Sequence, residues 1–400
     1  MTGVALREPD TSALREDGRA SAELRTEWVD RIDDVRAMAG EWDAAVVASG
    51  EDNPFLLSAF LLSWWTHRAG RRTPAVFIVR RGGRIVGGLP LCQSPDGTLE
   101  HMGEHAANYT EFLRVDWQVD LWPLFLRALA TRPGWRRVVL ARIRQHRLGL
   151  APGPAGAQAD LVIDAAHTND TFLIDLPSPG PSSRHIRHQV RKSQRDAARW
   201  GTLRLQTDVP ESELPALIET FLRLSRASFR ARGMTSLFED PTMRSFFAEL
   251  IHAFARAGRL DVQVLRLHDD PLAINMGYTL GGNHNYIWVT INPRYARLRP
   301  GHLMIAALLE HAAQRGDRVF DFYAGYYRYK AAWCTRTLPV WRVDIRRNTL
   351  AGRMGLAIVR GDRALRQFVK SQPRLYGAAI AWRASLRRVR RATEGGDDAS

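Results

Sequence analysis

Residues 292–333 concentrate the residue types that could bind an anion. Their order is strand, basic loop, helix start and strand, with Arg297 and Arg299 late in the loop and Gly301 where the helix begins. The first backbone N–H groups of a helix lack acceptors within it, and the helix dipole favours negative charge there. We therefore predict a diphosphate cradle whose members are Arg297, Arg299, Gly301, His302 and Leu303. The alternative is an ordinary helix start with two solvated arginines.

Two sets of predicted elements must position this segment. The N-terminal set contains a β-hairpin that turns at Gly82 and Gly83, helices at residues 33–49, 58–68 and 117–132, and a strand at 136–142. The C-terminal set contains helices at 183–200, 213–230, 241–257 and 301–314, and strands at 202–207, 260–267, 271–280, 285–291, 318–323 and 338–345. Each set is therefore predicted to be α+β, with a mixed, mostly antiparallel sheet flanked by helices.

The chain divides into four predicted segments. Residues 1–23 form a disordered leader, 24–165 and 166–348 form the two α+β domains, and 349–400 form a basic helical tail. A Pro- and Gly-rich stretch at 151–160 supports a boundary between the domains. Residues 346–400 hold 13 basic residues against four acidic ones, which accounts for nine of the 15 net positive charges. Because the body is only mildly basic, the charge does not by itself indicate a nucleic-acid partner.

The composition excludes several classes of protein. Of the 400 residues, 45% are hydrophobic and 25% are charged, which is close to the globular average and unlike a disordered or fibrous chain. The two cysteines, Cys92 and Cys334, can form neither a disulfide framework nor a zinc site of ordinary spacing. No run of 18 apolar residues predicts a membrane span, and the N-terminus lacks the apolar core of a secretory signal. A cytoplasmic protein is expected.

One motif that resembles a metal site is rejected. Residues 101–105 read His-Met-Gly-Glu-His, which matches the His-x-x-Glu-His pattern of zinc peptidases. That pattern requires both histidines on one helix face, whereas Gly103 and the preceding hairpin favour a strand or loop. The sequence also contains neither a P-loop nor a Gly-x-Ser-x-Gly elbow. We therefore expect no metal, and the simplest NTPase and hydrolase interpretations are excluded.

Residues 25–345 resemble the GNAT superfamily, specifically the cellulose-biosynthesis acetyltransferases (CelD/BcsL) and their FemAB-like relatives. The shared features are Pro-Gly before a helix, then a glycine and a Phe-Asp-Phe strand, then a glycine and Tyr-Lys. In this chain they are Arg299-Pro300-Gly301, Gly316, Phe320-Asp321-Phe322, Gly325, Tyr329-Lys330 and Trp333. The resemblance implies two tandem GNAT-like domains, of which the second binds an acyl-CoA, most simply acetyl-CoA.

The chain departs from the family pattern in two places. Family members usually carry acidic residues after the glycine that precedes Tyr-Lys, where this chain has Tyr326-Tyr327-Arg328. The Gln/Arg-x-x-Gly-x-Gly/Ala phosphate loop of simple GNAT enzymes is replaced by Arg-Leu-Arg-Pro-Gly at 297–301. The first departure leaves the acid–base assignment open, and the second leaves the acyl donor open.

A GNAT mechanism implies that the acyl thioester lies between two splayed strands and is attacked directly by the acceptor. Alternation places Asp321 and Tyr323 on one face of the predicted strand 318–323. Asp321 is the expected base or acceptor-orienting carboxylate. Tyr323 and Tyr329 are expected to protonate the departing thiolate or to contact the acceptor, and Lys330 is expected to hold a phosphate or carboxylate.

Two further sets of residues are predicted to contact the acceptor. Alternation along 285–291 places Tyr286 and Trp288 on one aromatic and polar face, suited to a cleft. The helix at 183–200 carries a basic stripe formed by Arg184, His188, Arg191, Arg195 and Arg199. A solvated face is one interpretation of the stripe. The other is a surface for an anionic acceptor such as a polysaccharide or a lipid-phosphate sugar, with Arg191 and Arg195 as contacts.

These features predict an acyl-CoA-dependent N- or O-acyltransferase. The expected acceptor is a sugar, an exopolysaccharide precursor or another cell-envelope building block, and no specific nucleic-acid partner is expected. One alternative is a FemAB-like transferase that takes an aminoacyl group from tRNA. The other is a catalytically silent scaffold, because the basic tail is also suited to peripheral contact with the inner face of a membrane.

Overall fold

The computed structural model of the protein describes residues 23–149, 160–178, 180–181 and 183–371. The predicted leader lies outside the described residues except for Glu23, and the predicted tail lies outside them from residue 372 onward. Residues 150–159, which include most of the predicted Pro- and Gly-rich loop, are outside them as well.

The N-terminal elements are helices of 4–11 residues and mostly short strands. In chain order they are β1 Leu24–Val29, α1 Ile32–Ala37, α2 Ala39–Ala48, α3 Ser58–Arg68, β2 Thr73–Pro74, β3 Val76–Arg81, β4 Arg84–Leu89, β5 Leu91–Gln93, β6 Thr98–His101, β7 Leu113–Arg114, α4 Leu121–Thr131, β8 Arg137–Arg144, α5 Gln145–Leu148 and β9 Leu161–Asp175. Asn53 accepts the Phe55 N–H and starts the 3-10 turn Pro54–Leu56. Gly82 and Gly83, both at positive φ, form the predicted hairpin turn between β3 and β4.

The C-terminal elements form a second α+β set. In chain order they are α6 Arg184–Ala198, β10 Leu203–Gln206, α7 Leu214–Arg230, α8 Pro241–Arg256, β11 Leu260–Leu267, β12 Asp270–Leu280, β13 Asn283–Asn285, β14 Trp288–Ile291, α9 Pro300–Arg315, β15 Val319–Ala324, α10 Arg328–Trp333, β16 Arg336–Arg347 and α11 Leu350–Ser371. A 3-10 turn, Pro293–Leu298, connects β14 to α9. Side-chain caps start several of these helices, including α6 at Ser183 and α8 at Asp240.

A 12-stranded sheet joins the two sets of elements. Its strand order is β10-β11-β12-β13-β15-β9-β16-β8-β6-β5-β2, and β14 pairs with β12 outside this path. Only the β13–β15 and β6–β8 pairs are parallel, so the sheet is mostly antiparallel. A second sheet of four strands has the order β1-β3-β4-β7. The fold is therefore mixed α+β with helices flanking the sheets.

Strand β9 carries the connection between the two parts of the chain. Strand β16 pairs with β9 along the whole length of β16, and β15 pairs with β9 near the C-terminal end of β9. The predicted domain boundary at 165/166 lies within this strand, so the backbone passes from one set of elements to the other inside the sheet. The apolar cores are shared in the same way, because Phe60 of α3 packs edge-on against Phe246 of α8, with ring centroids 6.2 Å apart.

Several predicted elements need correction. The helix predicted at 33–49 is divided at Met38, and the one predicted at 117–132 begins at Leu121, where Asp120 accepts the Trp122 N–H. The strand predicted at 285–291 is divided after Asn285. The first part, β13, pairs with β15, whereas the second part, β14, pairs with β12. The loop predicted after residue 323 contains the one-and-a-half-turn helix α10.

The described part of the tail is a single helix, α11, whose Leu356 is buried against the body. Within the described residues, no helix has both the length and the apolar character that a membrane crossing requires.

Candidate active site

Strands β14 and β15 diverge next to each other in the C-terminal set. Asn283, His284 and Asn285 pair in parallel with Val319, Phe320 and Asp321, and the Tyr286 N–H donates to the Asp321 carbonyl at 3.0 Å. Beyond that point β14 pairs only with β12, so its other edge has no strand partner among the described residues. The two strands therefore separate at this point, and the edge of β14 that faces away from β12 has backbone groups without a strand partner. We refer to the space between the separating strands as the opening.

Helix α9 begins beside the open end of β14. Arg299, in the left-handed region at φ 49°, precedes its first turn and provides no side-chain cap. The Gly301 N–H has no intramolecular acceptor in the part of the chain that is described, and a Cβ built at Gly301 meets nothing nearer than Ile291 Cγ2 at 4.0 Å. An anion could therefore approach this backbone closely.

The prediction that the backbone N–H groups of Gly301, His302 and Leu303 all lack acceptors was wrong. The His302 and Leu303 N–H groups both donate to the Arg299 carbonyl, at 3.0 and 3.4 Å, because Arg299 is the N-cap residue and its carbonyl accepts the first intrahelical bonds. The side chains of Arg297 and Arg299 are exposed. Of the predicted cradle, one free N–H and two exposed guanidinium groups therefore remain accessible to an anion.

The imidazole of His302 is fixed by Trp333. The Trp333 Nε1–H donates to His302 Nδ1 at 3.0 Å, and the two rings stack with centroids 6.1 Å apart. Partial burial and the neighbouring Arg299 charge lower the pKa of His302, so this imidazole is neutral at pH 7. Helix α10, through Trp333, thus holds the first turn of α9 in place.

Asp321 is the centre of a buried polar cluster that the sequence did not predict. The Tyr109 hydroxyl donates to its carboxylate at 2.8 and 3.1 Å, the Thr171 hydroxyl at 3.3 Å, and the Tyr323 N–H at 2.6 Å. Burial raises the pKa of Asp321 to about 6, although Arg144 and these donors oppose the shift. A largely ionised carboxylate is therefore held inside the protein at neutral pH.

Tyr323 lies at a distortion at the end of β15. Its φ is 61°, unusual for an aromatic residue, and the pairing of β15 with β9 shifts between Asp321 and Ala324. Its hydroxyl donates to Asn285 Oδ1 at 2.7 Å, which ties β15 to β13 at the point where the opening begins. Tyr323 and Asp321 share one face of β15, as predicted, whereas Phe320 and Phe322 lie in the core on the other face.

The side chain of Lys330 does not have the role predicted from the sequence. Its ammonium group is buried and donates to the carbonyls of Tyr323 and Ala324 at 3.2 and 3.4 Å. Burial lowers the pKa of Lys330 to about 8, and Asp321 opposes that shift. The group predicted to hold a phosphate or carboxylate thus contacts the backbone at the distorted end of β15.

Tyr329 lies on the opposite face of β15 from Asp321. Its ring packs edge-on against Phe322 with centroids 5.9 Å apart, and its side chain is only partly buried. Burial, and to a smaller extent Tyr327, raises the pKa of Tyr329 to about 12. Its hydroxyl therefore keeps its proton at neutral pH.

The predicted common face of Tyr286 and Trp288 was wrong. Tyr286 packs against Phe320 and Phe322 in the core below α9, whereas Trp288 packs against Phe247 in the core on the other side of the sheet. Alternation fails because the strand is interrupted at residues 286–287. Both side chains are buried, at 8% and 9% exposure, so neither lines an open cleft.

Arg191 and Arg195 are both exposed on α6, but only Arg191 lines a groove. This groove, of about 400 Å³, lies between α6 and α9 and includes Gln194, Glu310 and Trp333 among its walls. Its α9 wall is the later part of the helix, from Ala306 to Ala313, and Trp333 connects the groove to His302 in the first turn. Arg195 does not line it.

A buried ion cluster from the N-terminal elements lies next to Asp321. Arg144 pairs with Asp52 and Glu111 at 2.7–2.8 Å and stacks on the Tyr109 ring with a centroid distance of 4.4 Å. Asn283 of β13 donates to Asp52 at 3.0 Å. The cluster therefore connects the N-terminal elements to β13 through Asn283 and, through Tyr109, to Asp321 of β15.

Sequence reasoning missed Tyr109, Thr171, Asn285 and this cluster. Tyr109 and Asp321 are separated by 212 positions in the chain, and no local pattern relates them. The Asn-Pro pair at 53–54, a turn signal directly after Asp52, is the local pattern nearest to the cluster. In the described residues, no group of three His, Cys, Asp or Glu side chains could hold a metal ion.

Comparison with known proteins agrees with this geometry. Residues 184–331, from α6 to α10, match the sequence model of the family described as "Acetyltransferase (GNAT) domain". These residues contain both diverging strands and the first turn of α9. The chain thus carries a GNAT-type acetyltransferase domain and is an acyltransferase enzyme. A search among curated proteins finds no match.

Solved structures share most of the fold at low sequence identity. The chain is similar to FemX, with a TM-score of 0.54 and 13% identity over 76% of this chain and 95% of FemX. It is equally similar to the C-terminal domain of a putative lysylphosphatidylglycerol synthetase from Agrobacterium fabrum, with a TM-score of 0.54 and 13% identity over 81% of this chain and 95% of that one. A Bacteroides thetaiotaomicron protein of unknown function has a TM-score of 0.51 and 10% identity, over 80% of this chain and 100% of its own. The arrangement is tandem GNAT-like.

Proposed function

We propose that the protein transfers an acyl group from an acyl-CoA, most simply acetyl-CoA, to an amine or hydroxyl of a sugar or another cell-envelope building block. The observation that supports this best is the divergence of β14 and β15 beside the first turn of α9, inside the segment that matches the acetyltransferase domain. An open strand edge next to an anion-accepting helix start suits a thioester attached to a diphosphate.

The donor would be held by its charged end. Arg297, Arg299 and the Gly301 N–H are the groups available for a diphosphate, and both arginine side chains are exposed. We leave Lys330 out of this set because its ammonium is committed to the end of β15. His302 acts through its stacking with Trp333, and Leu303 through its burial beneath the first turn.

The chemistry requires little covalent work from the protein. The acceptor nitrogen or oxygen bonds to the thioester carbon and loses its proton, the carbon–sulfur bond breaks, and the departing thiolate takes up a proton. Unpaired N–H groups on the free edge of β14 are suited to polarise the thioester carbonyl. Tyr329, which retains its proton at neutral pH, is the donor we assign to the thiolate.

Asp321 serves in this proposal as a positioning carboxylate. It is 1% exposed and already accepts bonds from two hydroxyls and one N–H, so an acceptor cannot reach it in this structure. Its role is to hold Tyr109 and the backbone of Tyr323, and thereby the wall of the opening. This role replaces the predicted one of base or acceptor-orienting carboxylate, because the Asp321 oxygens are buried and already hydrogen-bonded.

The acceptor side is assigned to the groove between α6 and α9. Arg191 and Gln194 provide cationic and polar groups there, and Trp333 provides an apolar wall. A groove of about 400 Å³, lined by the later turns of α9 and by the Trp333 that contacts His302, is large enough for a sugar with an anionic substituent. Arg191 is therefore the acceptor contact that we retain from the basic stripe.

The direct test is calorimetric titration of the full chain with acetyl-CoA, together with a CoA-release assay. Gly301→Glu is expected to weaken donor binding about tenfold or more, because a carboxylate would face the diphosphate. The matched control is Gly40→Glu, since Gly40 is also the second residue of a helix and a Cβ there meets nothing within 4 Å. Absence of binding at millimolar acetyl-CoA, or equal binding by both variants, would contradict the proposal.

Transfer from aminoacyl-tRNA is the second candidate. The observation that favours it is the exposed basic stripe of α6, which suits a polyanion as well as an anionic acceptor. Adding aminoacyl-tRNA to the same titration separates the two donors. Binding of tRNA with steep salt dependence, without binding of acetyl-CoA, would favour this candidate.

A further inference from the structure

Helix α11 exposes a stripe of large apolar side chains. Leu350, Met354, Ile358 and Leu365 are between 58% and 77% exposed, which is high for residues of this size in a folded region. At 3.6 residues per turn these four positions fall within an arc of about 80°. The stripe therefore runs along one side of the helix, and Phe368, also exposed, extends it.

The opposite side of α11 contacts the body of the protein. Leu356 is buried there, and Val359 and Arg363 are partly buried. Asp164 of β9 accepts bonds from Arg360 and Arg363 at 2.9 and 2.8 Å. These contacts fix the rotation of α11 about its axis, so the apolar stripe faces away from the body.

The charge of α11 and of the chain after it is strongly positive. The helix carries four arginines and one lysine against a single acidic residue, Asp362, although two of the arginines pair with Asp164 of β9. Residues 372–391 add six arginines and no acidic residue to the sequence. An apolar stripe in a basic setting is complementary to an anionic lipid surface, where apolar side chains enter the acyl boundary and arginines meet phosphates.

We propose that α11 docks the protein on an anionic phospholipid membrane, with the helix lying in the plane of the surface. The stripe of Leu350, Met354, Ile358 and Leu365 enters the headgroup boundary, and the body stays on the aqueous side because Asp164 and Leu356 hold it to the other face of the helix. This surface is separate from the acyl-transfer site, and the inference does not depend on the acyl donor.

Vesicle flotation of the full chain tests the inference. We expect the protein to float with vesicles of phosphatidylcholine mixed with phosphatidylglycerol and to remain behind with phosphatidylcholine alone. Leu365→Glu places a carboxylate in the stripe and is expected to weaken flotation about tenfold or more. The matched control is Leu237→Glu, because Leu237 is an equally exposed leucine on a different surface, at 64% against 61%.

The remaining outcomes overturn the inference. If the wild-type chain does not float with the mixed vesicles, the apolar stripe of α11 does not bind an anionic membrane. Full flotation of Leu365→Glu assigns binding to residues beyond α11. Sedimentation measurements on both variants complete the test, because a dimer that Leu365→Glu alone disrupts would identify a second copy of the chain as the partner of the stripe.

Discussion

At the scale of single residues, the site depends on a carboxylate that the protein keeps charged away from water. Asp321 has three kinds of donor around it, and they come from β15 itself, from β9 and from the loop that holds Tyr109. Burial of a carboxylate is costly unless its oxygens are hydrogen-bonded. Each of these donors should therefore matter more than an ordinary surface hydrogen bond.

Tyr109→Phe tests this directly. Removing the hydroxyl takes a donor from a buried carboxylate and is expected to lower the free energy of unfolding by about 1–3 kcal/mol near pH 8. The pKa of Asp321 in the folded protein, about 6, already exceeds its ordinary value of 3.8, so stability falls as pH rises through that interval. The variant raises this pKa further, so its deficit should be larger near pH 8 than near pH 5. Urea unfolding at both pH values measures the difference.

Tyr295→Phe is the matched control for that experiment. Tyr295 also donates to a carboxylate, Asp270, at 2.6 Å, but Asp270 is exposed and water replaces the lost bond. Tyr295→Phe should therefore lower the free energy of unfolding only slightly, and by nearly the same amount at both pH values. A Tyr109→Phe deficit that does not change with pH would show that the hydroxyl does not stabilise the ionised form of Asp321.

At the scale of elements, the candidate site is built by three segments that each depart from regularity. The strand after Asn285 leaves its partner, α9 begins after a left-handed residue, and β15 ends on a distorted tyrosine. Lys330 and Trp333 of α10 hold the last two of these features. Helix α10 thus acts as a clamp on the opening although it spans only six residues.

Helix α11 depends on β9 in a similar way. Asp164→Asn removes the charge that both Arg360 and Arg363 contact, so we expect faster amide hydrogen exchange along α11. The change in global stability should stay below ~1 kcal/mol, because both arginines are partly exposed. Exchange measured by mass spectrometry over residues 350–371 provides the readout.

Asp175→Asn serves as its control on the same strand. Asp175 pairs with Arg336 of β16 at 2.8 Å and does not contact α11. Exchange in α11 should be unchanged in this variant. Unchanged exchange in Asp164→Asn as well would mean that apolar contacts alone hold the helix in place.

At the scale of the whole molecule, the two sets of elements form one structural unit. The sheet runs through both, β9 passes between them, and the ion cluster around Arg144 contacts Tyr109 and, through Asp52, Asn283. The N-terminal elements therefore supply part of the support for a site whose strands and helix come from the C-terminal set. A C-terminal domain without them would leave Asp321 without Tyr109.

Arg144→Met is expected to be the most destabilising of the changes considered. It leaves Glu111 and Asp52 without their principal cation, and breaking a buried pair in this way costs about 3–5 kcal/mol. Denaturant unfolding measures this loss. Arg80→Met is the control, because its two partners, Glu27 and Glu41, are exposed and such pairs contribute about 0–1 kcal/mol. Similar losses in the two variants would contradict a structural role for the cluster.

The sequence by itself was sufficient for the elements and for the class of fold. Periodicity and turn signals predicted α3 and β11 to the residue, and placed α7, α8 and α9 within one or two residues of their ends. Such elements have strong local signals: apolar residues at helical spacing, proline at the start and glycine at the end. The Pro-Gly helix start near a Phe-Asp-Phe strand likewise located the region of the candidate site.

The tertiary structure alone decided which side chains meet there. Tyr286 and Trp288 point into different cores because the strand breaks between them, and strand alternation cannot reveal a break that a neighbouring strand imposes. Lys330 binds carbonyls rather than an anion because β15 ends irregularly. Tyr109 donates a hydrogen bond to Asp321, which lies 212 positions further along the chain. Strand β9 connects the N-terminal and C-terminal sets of elements within one sheet. Local sequence determines local conformation, whereas contacts between distant segments depend on how the whole chain packs.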